Sequence, residues 1–113
     1  MSQNKKAVRA AFRNAVFKRA GYKCQCCGLK SSPAKAEEEL DAHHITDRNE
    51  MPNGGYVKEN GISVCKGNAG TSCHEKAEMV LQGDVIPGFA PDDLYKLIES
   101  SREEAITASE KLQ

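Results

Sequence analysis

Apolar positions recur at helical spacing near the start of the chain. Val8, Phe12, Ala15 and Val16 fall on one stripe, Arg9, Arg13 and Lys18 lie mostly away from it, and Gly21 is a natural stop. This predicts a helix over residues 4–20. Tyr22 to Gly28 then reads as a tight turn rich in thiols, and 31–39 as a polar loop around Pro33 with room for a short helical turn. Two short apolar runs, Leu40 to Ile45 and Ile62 to Cys65, read as strands. The turn-forming stretch Met51 to Gly55 lies between them, so the pair predicts a hairpin with a long connection. After a loop at 66–70, Ser72 followed three residues later by Glu75 is a capping-box pattern, and Gly83 is the matching stop. Beyond the Pro87–Gly88 turn, Pro91 suits the first position of a final helix over 91–112. Asp92 and Asp93 complement its positive end, and Leu94, Leu97, Ile98, Ala105 and Leu112 supply its stripe. The order is α+β, in one domain spanning residues 1–113, with zinc and hairpin elements in a core over 22–83. There is no internal repeat.

Composition changes this picture in one respect. The chain has no Trp, three Phe and three Tyr, and 28% of it is charged, so its core is modest for its surface. Chains of this kind often need a disulfide or a structural metal. Five Cys cannot all pair. No apolar run approaches the roughly 18–20 residues of a membrane span, and the N-terminus is basic and amphipathic, unlike a signal peptide. The expected compartment is therefore the cytoplasm, where thiols stay reduced and zinc is favoured over cross-links.

The formal net charge of zero hides a segregation. Eight bases and no acid precede residue 31, leaving 16 − 8 = 8 bases against 16 acids in the remainder. Such asymmetry points to a polyanion, with Arg9, Arg13, Lys18 and Arg19 as the candidate DNA contacts; the plainer alternative is an ordinary solvated helix face.

Cys24 and Cys27, two residues apart at a turn, can share one ion with Cys65 at a strand end and Cys73 at a helix start, as a four-thiolate site. Cys26 is left over. Seven residues separate Cys65 from Cys73, so 66–72 must bulge. The alternatives are buried free thiols or, with less support, a redox pair, since the chain lacks the strand–helix alternation of a thioredoxin-like unit.

All three His are His43, His44 and His74. The first two close a strand and the third opens a capped helix, where Glu78 follows on the same face. In a regular strand His43 and His44 point to opposite sides. They share a site only if the strand bends or ends there, or if one holds a metal while the other faces the substrate. Asp41 and Asp47 read as strand-edge and turn solvation.

Taken in order, Cys24-x-x-Cys27, Ala42-His43-His44-Ile45, the turn at Gly54-Gly55, Glu59-Asn60-Gly61-Ile62, Val64-Cys65 and Cys73-His74-Glu75-Lys76 resemble the HNH endonucleases. The resemblance covers about residues 5 to 80 and excludes the final helix. It implies a ββα-metal fold stabilised by zinc, with His44 as the general base. His43 and His74 would be ligands of a catalytic divalent ion. Asn60 would be the catalytic-motif residue that pins the loop between the strands and in some members binds the metal. Glu78 is either a further ligand or a solvent-exposed pair with neighbouring bases. The implied activity is metal-dependent hydrolysis of DNA phosphodiesters, with Mg²⁺ or Mn²⁺, and with Ni²⁺ or Co²⁺ also accepted by imidazole. Similar stand-alone proteins act beside a phage terminase or in restriction. The competing expectations are a non-catalytic zinc module that binds nucleic acid and a zinc domain that binds protein.

Overall fold

A computed structural model describes residues 5–66 and 72–112. Its order is α1 (Lys5–Ala20), α2 (Ala36–Glu39), β1 (Leu40–His44), three 3-10 turns (Arg48–Glu50, Pro52–Gly55, Lys58–Asn60), β2 (Gly61–Cys65), α3 (Cys73–Leu81), α4 (Pro91–Leu97) and α5 (Arg102–Glu110). Most of the expected loop at 66–70 lies outside the described residues. Among those described, none belongs to a helix long and apolar enough to cross a membrane.

The strands pair antiparallel, with Leu40 opposite Cys65, His43 opposite Ile62 and His44 opposite Gly61. Every residue of β2 is buried, because α1 and α3 both pack on the two-stranded sheet. On α1 the buried side chains are Phe12, Val16, Phe17 and Ala20. Their approach is close enough that β2 must begin with glycine. A Cβ on Gly61 would stand 2.5 Å from Val16 Cγ2 and 2.7 Å from Phe12 Cε1. Arg19 locks the other end of the same contact by donating to the carbonyls of Lys58 and Gly61.

The single helix expected over 91–112 is two helices. α4 stops at Leu97, Glu99 takes a left-handed φ of 55°, and Ser101 restarts the chain by capping α5, its hydroxyl accepting the Glu104 N–H at 3.1 Å. A helical stripe does not report a break when the residues on either side share one buried face. Leu94, Ile98 and Ala105 are indeed buried, but Leu97 is 48% exposed. Serines 100 and 101 carry the break: Ser100 Oγ donates to the Glu59 carbonyl at 2.9 Å, tying the bend to the hairpin loop. The two helices then close over the connection between the strands. Tyr95 of α4 reaches Asn60 and Thr46, while Asn53 Nδ2 donates to the carbonyls of Ser109 and Leu112 at the end of α5.

Candidate functional site

The first cluster is built on a knuckle between α1 and α2. Lys23 bridges Lys30, Cys24 N–H donates to the Leu29 carbonyl and Gly28 N–H to the Cys24 carbonyl, with Gly28 at a φ of 83° that suits glycine. Gln25 fastens the knuckle to β2: its N–H donates to the Ser63 carbonyl at 2.8 Å, and its Oε1 accepts the Ser63 N–H at 3.2 Å. This brings Cys24 and Cys27 to the end of β2 and the start of α3, so that the sulfurs of Cys24, Cys27, Cys65 and Cys73 all lie within 4.8 Å of one another.

The spacing fits one metal ion such as zinc. Four sulfurs about 2.3 Å from a tetrahedral centre stand about 3.8 Å apart, and Cys27 Sγ and Cys65 Sγ are 3.8 Å apart. Two backbone amides already point at these sulfurs, Cys27 N–H to Cys24 Sγ and Cys73 N–H to Cys65 Sγ, each at 3.4 Å. A hydrogen bond from Cys26 pulls the Cys24 thiol down to about 3. Burial and the Cys24 charge push the Cys73 thiol up. A cation among the sulfurs would offset the repulsion between Cys24 and Cys73 that this shift reflects. Cys26 stands outside the set, half-buried beside it.

The second cluster lies on the sheet. His43 and His44 do point to opposite sides, and the strand ends at His44. The His43 ring meets His74 of α3 edge-on, with centroids 5.7 Å apart, while the His44 ring stacks on Phe12 of α1 at 4.6 Å. Both nonetheless line one cavity of about 300 Å³, together with Ala42, Asp47, Arg48, His74, Glu78 and Leu81.

His43, His74 and Glu78 each bring a donor atom within 4.8 Å of the others and could hold a metal ion. His43 Nδ1 and His74 Nε2 each lie 3.8 Å from a Glu78 oxygen. That is too long for a hydrogen bond. It suits two donors about 2.0–2.2 Å from a shared cation. Burial, with repulsion from His74 and His44, holds His43 near 3, so its ring is neutral with a lone pair to offer. His44 is held down at about 4 by burial and by Arg48, and so is also a neutral base at ordinary pH. His44 Nε2 is buried without a hydrogen-bond partner among the described residues.

Asp41 belongs to this site, although strand-edge solvation was expected of it. Its Oδ2 lies 2.9 Å from His74 Nδ1, and that hydrogen bond raises the His74 pKa. The bond places the proton on Nδ1 and leaves Nε2 as the donor toward Glu78, an arrangement typical of metal-binding imidazoles. The clue available in the sequence is the alternation of a strand, which puts Asp41 on the same face as His43. Asp47 caps the first 3-10 turn by accepting the Asn49 N–H at 3.2 Å, and it also borders the cavity.

Asn60 is not in the cavity. It is fully buried, and its amide is committed to the loop on all sides. Oδ1 accepts the Thr46 N–H at 3.0 Å and the Tyr95 hydroxyl at 2.8 Å; Nδ2 donates to the carbonyls of Thr46 at 3.1 Å and Gly55 at 3.3 Å. It holds the segment that follows His44 and has no group free to touch a substrate. Tyr95, which sequence reasoning did not single out, completes that network.

The four basic candidates of α1 divide. Arg19 is committed to the two carbonyls already described, and Arg13 pairs with Glu37 at 3.0 Å. Lys18 and Arg9 are exposed, and Arg9 lies near enough to the Tyr56 hydroxyl to lower its pKa. Comparison with known proteins gives no match to a family model, a curated protein or a solved structure.

Proposed function

We propose that this chain is a metal-dependent endonuclease of the HNH type that hydrolyses DNA phosphodiester bonds. The observation that carries the reading is the convergence of His43, His74 and Glu78 on a cavity that His44 also lines. A protein that only bound nucleic acid through its thiol knuckle would have no need of an unprotonated imidazole beside a three-donor centre.

In this reading Cys24, Cys27, Cys65 and Cys73 hold a structural zinc, and His43, His74 and Glu78 hold a catalytic Mg²⁺ or Mn²⁺. A divalent ion there would neutralise charge developing on the phosphate and stabilise the departing 3′-oxygen. His44 takes the proton of the attacking water. It remains neutral because burial disfavours its charged form. Phe12 and Tyr56 fix its ring from two directions, stacked at 4.6 Å and edge-on at 4.7 Å. Asp41 positions His74, and Asn60 positions the segment that leaves His44.

The test is supercoiled plasmid with Mg²⁺, Mn²⁺, Ni²⁺ or Co²⁺, comparing the native chain with His44→Ala. Nicking or linearisation is expected from the first and is reduced at least about a hundredfold in the second, the scale of a lost general base. Equal cleavage by both, or none by the native chain with any of the four metals, rejects the proposal. In the latter case a zinc-containing nucleic-acid-binding module becomes the better description.

A further inference from the structure

The α1 side of β1 carries a cluster that neither metal centre uses. Phe12, His44 and Tyr56 pack ring against ring, with Tyr56 edge-on to both neighbours at 5.8 and 4.7 Å. These contacts set the Tyr56 hydroxyl between two guanidinium groups from different parts of the chain. Arg48, from the first 3-10 turn, donates to it at 3.4 Å, and Arg9, from α1, lies near enough to act on the same oxygen.

Both arginines are exposed, and among the described residues neither forms a salt bridge. Two like charges are thus gathered on a neutral oxygen, and the neighbouring Asp47 carboxylate acts on Arg48 without closing an ion pair with it. Burial of the hydroxyl acts in the other direction, yet the two cations draw its pKa below the usual tyrosine value. Arg48 also borders the cavity of His43, His44, His74 and Glu78. An anion held by this pair would therefore sit beside His44. Guanidinium is the group best matched to phosphate oxygens, which it can engage with two parallel N–H donors.

We infer that Arg9, Arg48 and the Tyr56 hydroxyl form a docking point for a backbone phosphate of nucleic acid, on the His44 side of the cavity. The identity of that occupant rests on the proposed nuclease function. It also assigns the basic helix a narrower role than its composition suggests, because Arg13 and Arg19 are already engaged within the fold.

The experiment measures binding of a fluorescent duplex DNA by anisotropy, without added divalent ion, across a series of salt concentrations. The proteins are the native chain, Arg9→Gln/Arg48→Gln, and Lys96→Gln/Lys111→Gln as a control that removes the same charge from α4 and the segment after α5. The arginine double variant is expected to lose about one unit from the slope of log affinity against log salt, and roughly tenfold in affinity at low salt. The lysine control should keep at least half of each quantity. Matching far-UV spectra and Tm values establish that both variants are folded. Equal slopes and affinities for the two double variants overturn the docking point alone. Failure of the native chain to bind DNA at low salt overturns both it and the proposed function. Binding that depends on the arginines, with no cleavage under any of the four metals, supports the docking point and rejects only the nuclease reading.

Discussion

Replacing Tyr95 by Phe removes one oxygen atom and tests whether the C-terminal helices are part of the site's scaffold. The Tyr95 side chain is buried, and its hydroxyl donates to Asn60 Oδ1 at 2.8 Å while sharing a 2.7 Å hydrogen bond with Thr46 Oγ1. In the variant Asn60 Oδ1 keeps the Thr46 N–H at 3.0 Å and stays satisfied. Thr46 Oγ1, in a side chain that is 7% exposed, loses its partner. A typical intramolecular hydrogen bond contributes about 0.5–1.5 kcal/mol, and an abandoned buried hydroxyl costs about 1–3 kcal/mol. The ring itself remains in place, so no cavity term is added. The expected loss is about 2 kcal/mol. Thr46→Val in the same background removes the abandoned hydroxyl, so the double variant should be less destabilised than the sum of the single variants by about 1 kcal/mol. Urea unfolding at fixed zinc concentration measures all three variants, since bound metal shifts apparent stability by mass action. A Tyr95→Phe loss under about 0.5 kcal/mol, or strict additivity with Thr46→Val, would refute the network.

Other outcomes follow from the same geometry. The purified protein should carry about one tightly held zinc per chain, and Cys73→Ser should abolish it and unfold the knuckle; a folded, zinc-free native chain on metal analysis would count against the four-thiolate assignment. Asp41→Asn should weaken Mn²⁺ or Ni²⁺ binding at the His43–His74–Glu78 centre about 10–100-fold by calorimetry, and unchanged affinity would deny Asp41 its positioning role. Gly61→Ala should lower stability by about 1–3 kcal/mol, because α1 has no room for the methyl group; a neutral thermal shift would contradict the close approach. Arg19→Ala should destabilise the fold by about 1–3 kcal/mol while leaving the salt dependence of DNA binding unchanged, the reverse of what a phosphate contact would do.

Much of the local structure was legible because it follows from short-range rules. The stripe of Phe12 and Val16 ending at Gly21, the Ser72 cap three residues before Glu75 and the paired runs around Met51–Gly55 each have a cause within a few residues, and each corresponds to an element found. The final helix was misread because periodicity cannot distinguish one long helix from two that share a buried face. The backbone reversal at Glu99 follows from where Ser100 bonds, on the distant Glu59 carbonyl. The roles of Arg13 and Arg19 were beyond reach for a related reason, and for Asn60 the resemblance left loop-pinning and metal binding both open. A charge or an amide in a sequence does not reveal whether its hydrogen bonds will be made to the protein or left for a ligand.

By itself, the order of residues determined which side chains were available and at what local spacing: the thiols two apart at a turn, the adjacent imidazoles at a strand end, and His74 with Glu78 on one helical face. Only packing decided that both pairs of thiols meet, that His43 turns toward α3 while His44 turns toward α1, and that the two still border one cavity. It also decided that Asp41 supports His74 and that Tyr95, from outside the hairpin, closes on Asn60. The physical reason is range. Caps, turns and helical faces are set by neighbours along the chain, whereas the partner of a buried polar group is whichever complementary group the burial of apolar surface carries to it.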